Sequence, residues 1–141
     1  MTKKYIGTKL ITAFPQSKED KAGYGVIYED GYTSWSPKEV FEAAYRAIEQ
    51  EGQALTFGDA VHMLKLGKKV ARAGWNGKGM FIFLVPGSVF NVSRPPLLGI
   101  YPEGTQITYH AHVDMKTADG MVVPWLCSQT DMLATDWQVI D

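Results

Sequence analysis

The chain has 141 residues, of which 45% are hydrophobic and 21% are charged, and 14 Lys and Arg against 15 Asp and Glu give a net charge of −1. This composition excludes a wholly disordered chain, and the missing basic excess argues against a protein that binds nucleic-acid polymers. The one cysteine, Cys127, excludes a disulfide within the chain and a cysteine-based zinc site.

Residues 1–52 predict a hairpin followed by a helix. Alternating side chains over residues 24–28 and 32–35 indicate two strands, with Asp30 and Gly31 as the turn. A helix is expected next, because Ser36 is a typical N-cap and Glu39 completes a capping box. Apolar residues continue at helical spacing to position 48, and Gly52 is predicted to end this helix.

Residues 54–141 begin with a second predicted helix and a strand pair. Thr56 and Asp59 form a capping box, and the apolar positions that follow are spaced as in a helix that ends at Gly67. Strands are predicted over 68–73 and 80–85. They flank a glycine-rich turn in which Asn76 and Gly77 are expected to adopt positive φ.

The rest of the chain predicts short strands and one helical turn. Residues 89–105 hold three prolines and predict a long irregular loop, and strict alternation over 107–115 predicts one strand. A turn at 118–120 leads to a returning strand over 121–123, Ser128 can cap a short helix that reaches residue 134, and residues 137–140 form a last strand. The fold class expected is α+β, with a small antiparallel sheet packed against short helices.

No targeting or membrane-spanning segment is indicated. The N-terminal residues are charged and lack an apolar core, and the longest apolar run, residues 80–86, is too short to cross a bilayer. A soluble cytoplasmic protein is therefore expected.

Several residues permit catalysis or metal binding without requiring it. His110, His112 and Asp114 fall on one face of the predicted strand and could hold a metal, although a half-exposed strand normally carries polar side chains on that face. Cys127 is a possible nucleophile but is more typical of a small core residue. No nucleophile elbow or phosphate-binding loop with the required spacing occurs.

Aromatic residues make up 12% of the chain, and the four tryptophans stand beside small or polar residues. They are either core residues with a polar handle or a surface on which flat ligands stack. The glycines around Trp75 could likewise nest a phosphate or simply make a turn. From the residues alone, a nucleotide-binding α+β domain remains one reading among several.

Two long motifs, GWNGKGMF at 74–81 and VPWLCSQTDMLATDW at 123–137, carry a family resemblance. Residues 54–141 resemble a small phage protein family, the second Thoeris anti-defence class. The resemblance implies a homo-oligomer, usually a tetramer, with pockets between subunits. Its members bind cyclic ADP-ribose isomers made by a bacterial defence without cleaving them, and some hold cyclic di- or trinucleotides at a separate site. No cofactor is implied.

The resemblance also implies a set of ligand contacts and a place of action. Trp75 and Trp125 would stack on the ligand, Arg72 or Lys78 would answer its pyrophosphate, and polar or backbone contacts would come from Asn76, Gly77, Ser128, Gln129 and Asp131. Trp137 and Met132 are assigned to the core. The protein would act in the cytoplasm of the infected host.

Two rival functions remain open. A phosphodiesterase or nucleotide hydrolase would have to use His110, His112 and Asp114. A protein-interaction module of the phage would bind no small molecule. Residues 1–52 resemble a module found on many phage proteins, for which the resemblance implies no function, and they form the first of two predicted domains, with 54–141 as the second.

Overall fold

A computed structural model describes residues 1–49 and 51–141 and divides the chain into two compact units, Met1–Arg46 and Ala47–Asp141. The α+β class is confirmed: short antiparallel sheets occur with three short helices. No helix among the described residues is long and apolar enough to cross a membrane.

The first unit is a three-stranded antiparallel sheet with one helix. Strands β1 (Thr12–Pro15), β2 (Gly23–Ile27) and β3 (Thr33–Pro37) lie in that order, and helix α1 (Lys38–Ala44) follows. The predicted hairpin of β2 and β3 is confirmed, whereas β1 was not predicted. The rings of Tyr24 and Phe41 stack with centroids 4.2 Å apart, which joins the sheet to the helix.

The predicted helix of this unit was wrong at both ends. Ser36 pairs with Tyr24 in β3, so its backbone is extended and it does not cap; Pro37 precedes the helix without a side-chain cap. The helix ends at Ala44 because Tyr45 is already extended, with φ −129° and ψ 145°, so Gly52 does not end it. The predicted helix also covered Gln50, which lies outside the described residues.

The second unit is built on a five-stranded antiparallel sheet. Helix α2 (Phe57–Lys65) precedes β4 (Lys69–Arg72) and β5 (Phe81–Val85), and a separate hairpin of β6 (Ser88–Asn91) and β7 (Gln106–Tyr109) follows. Then come β8 (His112–Lys116), β9 (Val122–Pro124), α3 (Gln129–Leu133) and β10 (Trp137–Ile140). The strand order is β10-β4-β5-β8-β9, which places the first strand of this unit beside the last.

The local signals explain where α2 and the core lie. Thr56 Oγ1 accepts from the Asp59 N–H and Asp59 accepts from the Thr56 N–H, so the predicted capping box is confirmed. The apolar face of α2 packs on the sheet, and the buried side chains of this unit are Leu55, Ala60, Met63, Leu64, Val70, Ala71, Ile82, Val92 and Trp137.

Three local predictions in this unit were wrong. Residues 88–91 form β6 instead of loop, because they pair with β7. The predicted strand 107–115 breaks at residues 110–111, so its halves join different sheets. Positive φ falls at Gly79 (71°), where the chain enters β5, and not at Asn76 or Gly77; the bulk of Met80 beside Gly77 instead explains why glycine stands there.

Candidate functional site

Four aromatic side chains form one cluster in the second unit. Trp137, fully buried at the start of β10, lies 5.4 Å from Phe57, 5.4 Å from Trp75 and 6.2 Å from Trp125 between ring centroids. The Trp75 and Trp125 rings meet it nearly edge-on, at 79° and 86°. Both are only half-buried. We call Phe57, Trp75, Trp125 and Trp137 the aromatic cluster.

A charged network fixes one side of this cluster. Arg72, at the end of β4, donates from Nη1 to Asp131 Oδ1 (2.8 Å) and from Nε to Asp136 Oδ1 (2.8 Å). The indole N–H of Trp75 donates to the same Asp131 Oδ1 (3.1 Å). The Gly74 N–H donates to Asp136 Oδ2 (2.8 Å). We call Arg72, Trp75, Asp131 and Asp136 the carboxylate network.

Helix α3 is held to the same place by two further hydrogen bonds. Ser128 Oγ accepts from the Asp131 N–H (3.0 Å), which confirms the predicted cap, and the Trp137 indole N–H donates to the Asp131 backbone oxygen (2.9 Å). Both the side chain and the backbone of Asp131 are therefore fixed. Trp75 is positioned by bonds that exist without a ligand, so its ring does not have to be ordered on binding.

The charges of the network stabilise one another. Hydrogen bonds from Arg72 hold the pKa of Asp136 below its ordinary value. Burial by itself would raise the pKa of Asp131, but the hydrogen bonds from Arg72 and Trp75 outweigh it and the pKa is lowered. The Asp136 and Asp131 carboxylates in turn raise the pKa of Arg72. The network is ionised at neutral pH.

Acid is therefore expected to weaken the second unit. A carboxylate whose pKa is lower in the folded than in the unfolded chain contributes stability above its unfolded pKa of about 3.9, and this contribution is lost as pH falls through the folded pKa. Urea unfolding followed by circular dichroism between pH 7 and pH 3 should show stability falling below about pH 4. An Asp136→Asn variant should show a shallower fall, and an equal slope in both proteins would contradict this role.

The structure brings together some of the predicted ligand residues and leaves others apart. Arg72, Trp75, Ser128 and Asp131 are hydrogen-bonded to one another, and Trp125 joins them through Trp137. Asn76, Lys78 and Gln129 are exposed, and within residues 1–49 and 51–141 none of the three has a hydrogen bond to the network; Gly77 is half-buried. Their role as ligand contacts stays a prediction.

Two core assignments have different outcomes. Trp137 is fully buried, as predicted, whereas Met132 is 48% exposed and does not belong to the core. Helix α3 has only five residues and turns Asp131 toward Arg72, so the next residue along the helix is carried toward solvent. Sequence reasoning missed Asp136 and Phe57. A carboxylate directly before a buried tryptophan was the available signal for Asp136.

The residues suggested for hydrolysis do not form a metal centre. His112 Nε2 lies 3.4 Å from Asp114 Oδ2, but His110 stands at the break between β7 and β8. In the part of the chain that is described, no group of three or more His, Cys, Asp or Glu residues could hold a metal ion. Burial, and then the charge of Asp131, raise the pKa of the Cys127 thiol, which disfavours the reactive thiolate.

The fold and the site together define a small α+β domain whose half-buried tryptophans are positioned by an ion-pair network. Residues 55–140 match the family model described as Tad2-like, the Thoeris anti-defense 2-like domain. Over 86 residues, 61% of this chain, the sequence is 37% identical to "Thoeris anti-defense 2" of Bacillus phage SP01, covering 94% of that protein. The chain belongs to this Thoeris anti-defense 2-like family, and membership supports a role in phage anti-defence.

Proposed function

We propose that the protein binds and sequesters cyclic nucleotide immune signals in the cytoplasm of the infected host and does not cleave them. Cyclic ADP-ribose isomers are the first ligands proposed, and cyclic di- and trinucleotides are further ones. The observation that carries the proposal is the pair of half-buried tryptophans, Trp75 and Trp125, both packed edge-on against the buried Trp137. Rings held this way keep a face for stacking on a flat base.

The binding energy that this site can supply is considerable because the site is already ordered. Stacking of a base on an aromatic side chain is worth roughly 1–3 kcal/mol, and two tryptophans are available. Ordering a mobile side chain on binding costs about 0.5–1.5 kcal/mol, a cost that the hydrogen bond from Trp75 to Asp131 removes. This suits a protein that must hold its ligand tightly in a one-to-one trap.

Arg72 is occupied by two carboxylates, so in this proposal it positions Trp75, and the ligand's pyrophosphate is answered by Lys78, whose side chain is exposed. Asp131 Oδ1 already accepts two hydrogen bonds, so a ribose hydroxyl would meet its other oxygen. Asn76, Gly77, Ser128 and Gln129 complete the proposed set of contacts.

A homo-oligomer, with a tetramer favoured, is part of the proposal. Large apolar side chains lie exposed on and beside α3: Leu126 is 91%, Leu133 77% and Met132 48% exposed. Such a patch is a common mark of a protein interface. Its position next to the aromatic cluster fits a ligand pocket that a second subunit completes.

The test is calorimetric titration of the purified full chain with cyclic ADP-ribose isomers, followed by heat denaturation and analysis of the released ligand. Tight binding of at least one isomer and its recovery unchanged are expected. Trp75→Ala and Trp125→Ala should each weaken binding roughly 10–100-fold, because each removes one stacking partner. Trp35→Ala, in the first unit, is the matched control and should bind as the wild type does.

Each other result has a definite meaning. Release of a cleaved product would replace the proposal with the hydrolase reading. Absence of binding by every isomer, together with capture of a protein partner, would replace it with the interaction-module reading. Equal binding by the wild type and both cluster variants would move the ligand away from the aromatic cluster.

A further inference from the structure

A second concave site lies away from the aromatic cluster, between the β6–β7 hairpin and the loop that follows β6. The cleft has a volume of about 930 Å³, within the range of small-molecule pockets. Phe90, Asn91 and Arg94 line it, with Tyr109 from β7. None of its lining residues belongs to the aromatic cluster or the carboxylate network.

The cation in this cleft has no carboxylate partner. Among the described residues, Arg94 is the one charged side chain that lines the cleft, and the structure gives its guanidinium neither an ion pair nor a hydrogen bond. This contrasts with Arg72, whose guanidinium is shared by two aspartates. A free guanidinium in a concave site is suited to a phosphate, which it can bind through two parallel hydrogen bonds.

The aromatic side chains of the cleft are suited to a flat ring. Phe90 and Tyr109 pair edge to face, with centroids 5.0 Å apart and planes at 74°. Because this packing fixes both rings, one of them offers a face to a ligand at little entropic cost. The hydroxyl of Ser88 and the amide of Asn91 add the hydrogen-bonding groups that a sugar requires.

The walls of the cleft are held by backbone hydrogen bonds. The Val92 N–H donates to the Thr105 oxygen (2.9 Å), the Gly104 N–H to the Val92 oxygen (2.8 Å), and the Leu98 N–H to the Arg94 oxygen (3.0 Å). Val92 is 2% exposed and anchors this loop in the core. The cleft is thus formed before any ligand arrives.

From these observations we propose that the cleft binds a nucleoside monophosphate, with the phosphate on Arg94 and the base against Phe90 or Tyr109. One free guanidinium matches one phosphate group, which disfavours ligands with several phosphates. The proposal does not depend on the function assigned to the aromatic cluster.

The test is a titration of the ¹⁵N-labelled full chain with AMP, UMP, adenosine and inorganic phosphate at low ionic strength, followed by NMR. AMP is expected to bind more tightly than adenosine or phosphate, with amide shifts concentrated at residues 88–97 and 109. Arg94→Ala should raise the Kd for AMP about tenfold or more, since hydrogen bonds to a charged group are lost. Arg94→Lys, which keeps the charge but loses the two-pronged contact, should fall between them.

Matched variants separate the parts of the proposal. Lys65→Ala, an exposed cation at the end of α2, should leave the Kd unchanged. Tyr109→Leu should weaken AMP and leave phosphate unaffected. Equal affinity for AMP and phosphate would mean a simple anion site and overturn the nucleotide assignment. Shifts confined to Trp75 and Trp125, or no shifts at all, would overturn the cleft as the site.

Discussion

Replacing Trp137 with alanine should destabilise the second unit by about 3–5 kcal/mol, the usual cost of removing a large buried aromatic side chain. Trp137 is fully buried and is in contact with Phe57, Trp75 and Trp125. Its backbone also exchanges two hydrogen bonds with Leu55, of 3.0 and 3.1 Å. The side chain thus joins the start of α2, the last strand and α3.

The measurement is urea unfolding followed by far-ultraviolet circular dichroism and by amide NMR signals of the second unit. Trp125→Ala is the matched control, because this ring belongs to the same cluster but is half-buried, and a smaller loss is expected. Trp137→Phe keeps an aromatic ring and loses only the indole bond to the Asp131 oxygen, so about 1 kcal/mol should be lost. Equal losses in all three variants would contradict a central role for Trp137.

Local signals in the sequence predicted those elements whose conformation depends on neighbouring residues. The box of Thr56 and Asp59, the Ser128 cap and the turn before β3 are all of this kind, and each is confirmed. Ser36 failed because its competing interaction is distant: pairing with Tyr24 keeps it in a strand despite a good capping pattern. The break in the strand over 107–115 has the same origin, since its two halves pair with different partners.

The candidate site could be predicted in part for a similar reason. Trp75, Trp125 and Asp131 lie in two motifs that the family resemblance singles out, although their chemistry as ligand contacts stays a prediction. Asp136 could not be found, because its role comes from pairing with Arg72, 64 positions away in the sequence, across the neighbouring strands β4 and β10. Arg94 and Tyr109 met only when the β6–β7 hairpin, which was not predicted, brought their segments together.

Replacing Arg72 with methionine should destabilise the second unit by about 3 kcal/mol at neutral pH, the lower end of the cost of breaking a buried ion pair. The variant keeps the length of the side chain but leaves Asp131 and Asp136 without their shared cation. The lower end is appropriate because the three side chains retain some exposure, 17% for Arg72, 15% for Asp131 and 34% for Asp136. Lys68→Met, an exposed cation beside β4, is the matched control and should cost little.

The pH dependence of this loss distinguishes the ion pairs from simple packing. At neutral pH the wild type gains from two carboxylates whose pKa values Arg72 lowers, and the variant does not. As pH falls below about 4 the wild type loses that gain, so the difference between the two unfolding free energies should shrink. A difference that stays constant from pH 7 to pH 3 would assign the loss to the packing of the side chain.

The same variant separates the two roles that Arg72 could have in ligand binding. A guanidinium that already donates to two carboxylates has little charge left for a phosphate, so its effect on a ligand should pass through the position of Trp75. Arg72→Met and Trp75→Ala should then weaken binding by amounts that do not add, because both changes remove one placed indole. Additive losses would mean that Arg72 contacts the ligand itself and that the phosphate competes with Asp131 and Asp136 for it.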